Sequence, residues 1–298
     1  MMPYLSDYKP PFPWFGGKRT VADAVWDRLG DVANYVEPFA GSLAVLMLRP
    51  SEPGIETVHD ADGFVANFWR AAKCDPEATA HWADRPVFEN DLHAIHYWLK
   101  GKRTELTERL EADPDYFDPK IAGWWCWRQC TWIGSGWCQE GRQGPWTVVD
   151  GRFVQVKECE DGACRQIPHL GNEGKGVNRR GDGVWRQIPH LGDAGKGVNR
   201  KRPHLGNAGN GVNADSGVGS ILALADRLKD IRVCCGDWSR VSGDSVIYRS
   251  GITGIFLDPP YSAEADRDGE LYATENLSVA HDVREWAIAH GDDPRLRI

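Results

Sequence analysis

Four acidic side chains follow short apolar runs that are spread along the chain, and they are its first candidates for chemistry. They are Glu37, Asp60, Asp237 and Asp258. A single acid in such a place usually caps a turn or a helix. Four of them at one edge of a sheet would concentrate negative charge around one crevice. Such a crevice suits a ligand with ribose hydroxyls, an amino group and a positive centre better than it suits a polyphosphate.

The segments that carry these acids alternate between strand-like and helix-like patterns. Strands are predicted over 34–42, 56–60, 231–237 and 254–261. One helix is predicted from about Leu43 and another over 278–290. Strands that alternate with helices predict an α/β fold with a doubly wound, parallel sheet. Ligands of such sheets bind beyond the carboxyl ends of the strands, which is where the four acids would lie.

Three short motifs are the most specific feature of the sequence. They are Pro13-Trp-Phe-Gly-Gly-Lys18, Val36-Glu-Pro-Phe-Ala-Gly41 and Asp258-Pro-Pro-Tyr261. In this order they resemble the Dam-type DNA adenine-N6 methyltransferases, which take a methyl group from S-adenosylmethionine. The resemblance covers about residues 11–75 and 220–290 and implies a Rossmann-like, doubly wound methyltransferase sheet. The Gly-Gly-Lys run lacks the spacing of a phosphate-binding loop and follows no predicted strand, which excludes a P-loop NTPase.

The resemblance assigns the reaction to the Asp-Pro-Pro-Tyr motif. Adenine N6 is a poor nucleophile because its lone pair is delocalised into the ring, and it becomes transiently cationic when it attacks the methyl group. The Asp258 carboxylate and the Pro259 carbonyl would stabilise that charge where it develops, and consecutive prolines would hold the backbone in place. Tyr261 would stack on the base, which must be flipped out of the duplex. The alternative is that the Asp-Pro-Pro-Tyr motif has no catalytic function and forms a Pro-Pro turn with a buried tyrosine.

The resemblance also implies a set of residues that bind S-adenosylmethionine. The set is Trp14, Lys18, Glu37, Phe39, Gly41, Asp60, Asp237 and Asp258. The loop from Glu37 to Gly41 would wrap the methionine half of the cofactor, and Lys18 would face its carboxylate. Asp60 would hold the ribose hydroxyls, and Asp237 would meet the adenine amino group. This chemistry requires neither a metal ion nor a histidine base.

The middle of the chain carries a local excess of positive charge. The whole chain has 35 basic and 43 acidic residues and a net charge of −8. Residues 165–214 hold nine basic and three acidic residues, a net +6, which leaves −14 for the remainder. A basic block inside an acidic chain is typical of a surface that binds a polyanion. A solvated polar loop is the alternative.

The basic block consists of a repeated sequence. Its three copies span 165–179, 186–200 and 200–213, and each contains Pro-His-Leu-Gly and further glycines. This composition predicts successive turns. Glycine lets backbone N–H groups approach phosphates, and Arg and Lys supply the charge, so a DNA-contacting loop array is favoured over a flexible insertion without a role. The predicted DNA contacts are Arg128, Arg165, Lys175, Arg179, Arg186, Lys196 and Arg200.

The segment before the repeats is predicted to be largely helical. Asp75 and Pro76 are typical of a capped helix start, and a second helix opens at Pro119. Six of the fourteen tryptophans lie between positions 124 and 146. We expect most of them in the core, with one or two available to stack on an extruded base or to wedge the duplex.

These patterns divide the chain into two predicted domains. Residues 1–75 and 215–298 form a discontinuous catalytic domain, and 76–214 form an inserted target-recognition domain. In the family that the motifs resemble, the sheet continues beyond the Asp-Pro-Pro-Tyr strand. Here the next strand only begins, at 295–298, so we expect the C-terminal strands to be missing.

Two other functions fit the same residues. One is methylation of cytosine N4 or of adenine in RNA, and the other is DNA binding by a truncated, catalytically inactive protein. The expected partner is double-stranded DNA, with a cognate restriction endonuclease as a further candidate, in the cytoplasm of a bacterial or phage-infected cell. The sequence has neither an apolar run of membrane-spanning length nor a secretion signal, so no membrane is expected. The eight cysteines are interpreted as reduced thiols rather than as disulfides or zinc ligands.

Overall fold

A computed structural model of the chain describes residues 10–12, 14, 18–131, 146–149, 152–155, 224–260 and 279–298. The chain divides into two compact units, Met1–Arg142 with Lys201–Ile298, and Gln143–Arg200. The basic repeats and Tyr261 lie outside the described residues. The predicted boundary at residue 76 does not coincide with the division between the units, because the helices that follow it belong to the first unit.

The described residues form seven strands. These are β1 (Asn34–Glu37), β2 (Ile55–Asp60), β3 (Trp146–Val149), β4 (Arg152–Gln155), β5 (Arg232–Cys235), β6 (Thr253–Ile255) and β7 (Leu296–Arg297). Five of them make an all-parallel sheet in the order β5-β2-β1-β6-β7. In the second unit, β3 and β4 pair as an antiparallel hairpin. The predicted α/β class with a parallel sheet is confirmed.

Three strands are shorter than the sequence predicts: β5 covers 232–235 within the predicted 231–237, and β1 and β6 each end ahead of a proline. β1 stops at Glu37, just before Pro38, and β6 stops at Ile255, ahead of Pro259. Proline has no N–H group to donate to a neighbouring strand, so it cannot continue a ladder inside a sheet. Asp258 therefore lies on a loop three residues beyond its strand, and not on the strand itself.

Three of the described helices begin after an aspartate, Asp62, Asp75 or Asp118, whose carboxylate accepts a backbone N–H of the first turn. The helices are α1 (Ala22–Leu29), α2 (Ala44–Met47), α3 (Gly63–Cys74), α4 (Pro76–Ala83), α5 (Glu89–Ala112), α6 (Pro119–Thr131), α7 (224–228), α8 (Ser239–Ser242), α9 (Asp244–Ile247) and α10 (Val279–His290). Asp75 accepts a hydrogen bond from the Ala78 N–H at 3.1 Å, with Pro76 in the first turn, as predicted. None of the described helices is both long enough and apolar enough to span a membrane.

Helix α3 is the centre of the core. Ten of its twelve residues are buried, because it contacts β2 and β5 of the sheet and also α4, α5 and α6. Aromatic rings fill the space beside it: Phe12 lies 5.1 Å from Phe68 and 4.7 Å from Trp125, centroid to centroid. Trp125 and Trp127 are fully buried in α6, as expected for core tryptophans, whereas Trp132 and Trp137 lie outside the described residues.

A close approach between α4 and α6 makes Gly123 a sensitive position. A Cβ atom there would lie 2.5 Å from the Trp82 Cβ and 2.7 Å from the Thr79 carbonyl oxygen. We expect Gly123→Ala to lower the free energy of unfolding by about 1–3 kcal/mol, because the two helices must separate. Gly101→Ala is the control, since a Cβ in that part of α5 meets nothing within 4 Å. It should raise stability by up to about 1 kcal/mol, and equal urea midpoints for the two variants would contradict the prediction.

Candidate functional site

The order of the strands creates a topological switch point between β1 and β6. From β1 the chain moves outward through β2 to β5, and it then crosses to β6 and β7 on the other side of β1. Ligands of open parallel sheets bind at such a switch point, beyond the carboxyl ends of the strands. The four acids of the sequence analysis follow four neighbouring strands at this edge. Their spatial order is Asp237, Asp60, Glu37 and Asp258, on strands spaced about 4.8 Å apart.

Asp258 is joined to the amino-terminal lysine motif by an ion pair. The Lys18 Nζ lies 3.0 Å from the Asp258 Oδ1, and the two side chains are 26% and 34% exposed. Burial raises the pKa of Asp258 above its ordinary value, and the hydrogen bond and charge of Lys18 act in the opposite direction. Lys18 therefore favours the ionised form of a carboxyl group that its surroundings would otherwise tend to protonate. Lys18, predicted to face the carboxylate of a ligand, pairs in the structure with Asp258.

Glu37 is a buried acid at the end of β1. It is 3% exposed, and its Oε2 accepts a hydrogen bond from the Tyr35 hydroxyl at 3.0 Å. Burial raises the pKa of Glu37 to about 8, although the Tyr35 hydrogen bond lowers it, and the Asp258 carboxylate adds to the increase. At neutral pH Glu37 is therefore mostly protonated when no cation is near it.

Glu37 gives the stability of the protein a pH dependence of known sign. Because its pKa is raised on folding, its contribution is fully present below pH 4.5 and is lost as the pH rises towards about 8. We expect Glu37→Gln, which cannot ionise, to raise the free energy of unfolding at pH 8 by a few kcal/mol, at about 1.4 kcal/mol per pKa unit. The gain should be absent at pH 4, as measured by urea denaturation. An equal effect at both pH values would contradict the assignment.

The loop after β1 is held by Asp60 and shaped by Gly41. Asp60 Oδ2 accepts the Gly41 N–H and Oδ1 accepts the Asp62 N–H, both at 2.9 Å. Gly41 has a left-handed backbone with φ of 46°, and a Cβ there would lie 2.3 Å from the Trp14 indole nitrogen. Trp69 completes the arrangement by donating its indole N–H to the Gly41 carbonyl at 2.9 Å. Burial, reinforced by Asp62, raises the pKa of Asp60 to about 7.

Asp237 has a different environment from the other three acids. It is exposed, and its Oδ1 accepts hydrogen bonds from the backbone N–H and the hydroxyl of Ser239, which lower its pKa. This is the turn-capping role that a lone acid after a strand often has. Its neighbour Trp238, which was not among the predicted site residues, has its ring 6.3 Å from that of Phe39. A tryptophan directly after a strand-end acid was the available signal.

The predicted DNA contacts do not form a surface in the described part of the chain. Arg128 is fully buried in α6, so its guanidinium is not accessible to a phosphate, and we remove it from the set of DNA contacts. The helix is enclosed by α3, α4 and α5, which leaves little of it exposed to solvent. The other six predicted contacts lie in the repeats, outside the described residues.

The groups at the switch point suit a small cationic ligand with hydroxyl groups. The buried Glu37 and the half-buried Asp60 offer carboxyl oxygens that can accept from a diol or an ammonium group, and Asp258 adds a carboxylate beside them. This donor set fits S-adenosylmethionine, which carries a sulfonium, an ammonium and a ribose. Among the described residues, no group of three or more His, Cys, Asp or Glu is arranged to hold a metal ion.

Two comparisons with known proteins complete the description of the site. Neither the scan against protein-family models nor the search of curated proteins finds a match to this sequence.

Proposed function

We propose that the chain is an S-adenosylmethionine-dependent DNA methyltransferase that acts on adenine N6. The ion pair between Lys18 and Asp258 carries this proposal, because it joins two of the three motifs from opposite ends of the chain. The ion pair lies at the switch point, beside Glu37 of the remaining motif, Val36-Glu-Pro-Phe-Ala-Gly41. In the same proposal, the parallel sheet is a Rossmann-like methyltransferase sheet.

The Asp258 carboxylate would accept a hydrogen bond from the exocyclic amino group of the target base. Its carboxylate must be ionised to stabilise the positive charge that develops on N6, and Lys18 favours that state at 3.0 Å. The Pro259 carbonyl would accept the second amino hydrogen from a backbone that two prolines restrain. S-adenosylmethionine supplies the methyl group. Lys18 is thus proposed to position the carboxylate and to tune its charge.

Asp60, Gly41 and Glu37 would bind the cofactor. Asp60 is already oriented by two backbone N–H groups, and each of its oxygens retains a lone pair that can accept a ribose hydroxyl. Gly41 allows the loop to pass close to Trp14, so no side chain projects from it. Glu37 would face the positive part of the ligand, and binding of a cation there would favour loss of its proton.

We propose double-stranded DNA as the substrate, with the basic residues 165–214 of the predicted recognition domain as the segment that contacts it. The support is the net charge of +6 over 165–214. Deletion of 165–213 should weaken DNA binding by about tenfold or more at low salt and should reduce the slope of log affinity against log salt. Cofactor affinity should not change. Fluorescence anisotropy with a labelled duplex measures the first effect, and unchanged DNA affinity would refute a binding role for the repeats.

Methyl transfer itself tests the proposal. The purified chain is incubated with unmethylated plasmid and methyl-labelled S-adenosylmethionine, and the digested nucleosides are identified by mass spectrometry. Label in N6-methyladenine is the expected result. Label in N4-methylcytosine, or in RNA adenine in a parallel reaction, would keep the chemistry and change the substrate. Absence of label from every nucleoside would favour the non-catalytic DNA-binding alternative.

A further inference from the structure

His59 is a buried histidine that no part of the proposed reaction uses. It is the residue before Asp60 in β2, and it is 1% exposed. Its Nδ1 lies 2.7 Å from the Pro38 carbonyl oxygen, and its Nε2 lies 3.0 Å from the Gly236 carbonyl oxygen. One imidazole therefore contacts the loops that follow two different strands.

Those two loops, together with the last residue of β1, carry four of the eight predicted cofactor contacts: Glu37, Phe39, Gly41 and Asp237. Pro38 lies between Glu37 and Phe39, and Gly236 directly precedes Asp237. The strands that lead into the loops, β1 and β5, are not neighbours, because β2 lies between them. Beyond the ends of the strands no ladder ties the loops together. The imidazole of His59, on the intervening strand, spans this gap.

The protonation state of His59 decides how many of these contacts are hydrogen bonds. Both facing atoms are carbonyl oxygens, which only accept, and a neutral imidazole has one N–H to donate. Burial lowers the pKa of His59, while the two carbonyl contacts and Asp237 raise it and Arg240 lowers it. The neutral ring thus donates to one loop, and the imidazolium would donate to both. The shorter contact favours Nδ1–H donation to Pro38.

We propose that His59 is a positioning residue that sets the separation of the loops after β1 and β5, and so the width of the cofactor site between them. The nature of the bound ligand rests on the function proposed above, whereas the connection between the loops does not. His59 acts through Glu37 and Phe39 on one side and through Asp237 and Trp238 on the other. It has no direct role in methyl transfer.

Three variants of the full chain test the proposal. His59→Phe keeps a planar ring and removes both nitrogens. His59→Gln keeps a side-chain donor. His96→Phe is the matched control, because His96 is also a buried histidine but lies in α5, outside the sheet. Hydrogen–deuterium exchange is measured without ligand, and the affinity for S-adenosylhomocysteine is measured by calorimetry.

His59→Phe should speed amide exchange about tenfold or more in residues 39–41 and 236–239, while β6 stays as protected as in the unsubstituted protein. Its affinity for S-adenosylhomocysteine should fall about tenfold or more, and His59→Gln should recover part of that loss. His96→Phe should change neither quantity. Unchanged exchange in both loops of a folded His59→Phe protein would overturn the proposal.

Nitrogen NMR of the unsubstituted protein gives a readout that does not depend on folding of a variant. The proposal expects a His59 ring proton that exchanges slowly and is hydrogen-bonded, in contrast to the exposed His81. A rapidly exchanging His59 ring proton would overturn it. If the unsubstituted protein does not bind S-adenosylhomocysteine, the proposed cofactor is wrong, and the exchange and NMR results still decide the role of His59.

Discussion

Replacement of Asp258 by alanine is expected to reduce methyl transfer by about a thousandfold while leaving the fold intact. The carboxylate is proposed to stabilise charge that exists only in the transition state, so its loss should lower kcat far more than cofactor affinity. Burial raises the pKa of Asp258, which means that its ionised form is costly to the folded protein. The variant should therefore be at least as stable as the unsubstituted protein at pH 8. Radiolabel transfer and urea denaturation measure the two effects.

Lys18→Met is the companion variant, because it keeps Asp258 and removes its charged partner. Without Lys18 the pKa of Asp258 should rise further, since the hydrogen bond and charge that lower it are gone. If activity requires the ionised carboxylate, the acidic limb of the pH–rate profile should move to higher pH, and activity should recover in part under alkaline conditions. A uniform loss at all pH values would show that Lys18 does not act through Asp258. Full activity of the Asp258→Ala variant would show that Asp258 takes no part in methyl transfer.

Substitution of Gly41 by alanine is expected to abolish most cofactor binding, with a loss of about tenfold to a hundredfold in affinity. Two independent features make this position intolerant of a side chain. Its φ of 46° is unfavourable for residues with a Cβ, and the added atom would lie 2.3 Å from the Trp14 indole nitrogen. The loop must shift, and the hydrogen bond from the Gly41 N–H to Asp60 would be disturbed with it. Calorimetry with S-adenosylhomocysteine provides the measurement.

Gly251→Ala separates backbone strain from damage to the site. Gly251 also has a left-handed backbone, with φ of 87°, and a Cβ there would lie 3.2 Å from the Ala33 Cβ. It precedes β6, at the edge of the sheet opposite the acids. Both variants should lose stability, by about 1–2 kcal/mol each, but only Gly41→Ala should lose ligand affinity. Equal affinities in the two variants would show that the Gly41 loop does not contact the ligand.

Some of the site could be predicted because its signals are local. An apolar run followed by an acid predicts a strand and its end, and β1, β2, β5 and β6 all formed near the predicted positions. The Asp75–Pro76 cap is also a local signal, since the cap and the N–H groups that it binds lie within one turn. The bounds were less accurate where a proline interrupted a run, as at Pro38 directly after β1, because the missing N–H ends the ladder early.

Other features depend on which surfaces face each other. Arg128 has the residue type and the helical position of a DNA contact, yet α6 is enclosed by three helices and its guanidinium is buried. Asp237 follows a strand as Asp60 does, but Ser239 engages its carboxylate at the surface. For both Arg128 and Asp237, the residue type and its spacing are compatible with the predicted role as well as with the observed one. The difference lies in the packing of distant segments, which periodicity alone does not specify.

The residue types, the strand-forming runs and the three motifs can be recognised along the chain because each depends on neighbours within a few positions. Strand order cannot be recognised along the chain, since it arises when segments far apart in sequence pair side by side. That order places β6 beside β1 and so brings Lys18, Glu37 and Asp258 to the switch point. It also places His59 between two loops that β2 separates. Burial in the assembled sheet, and not sequence, then raises the pKa values of Glu37 and Asp60.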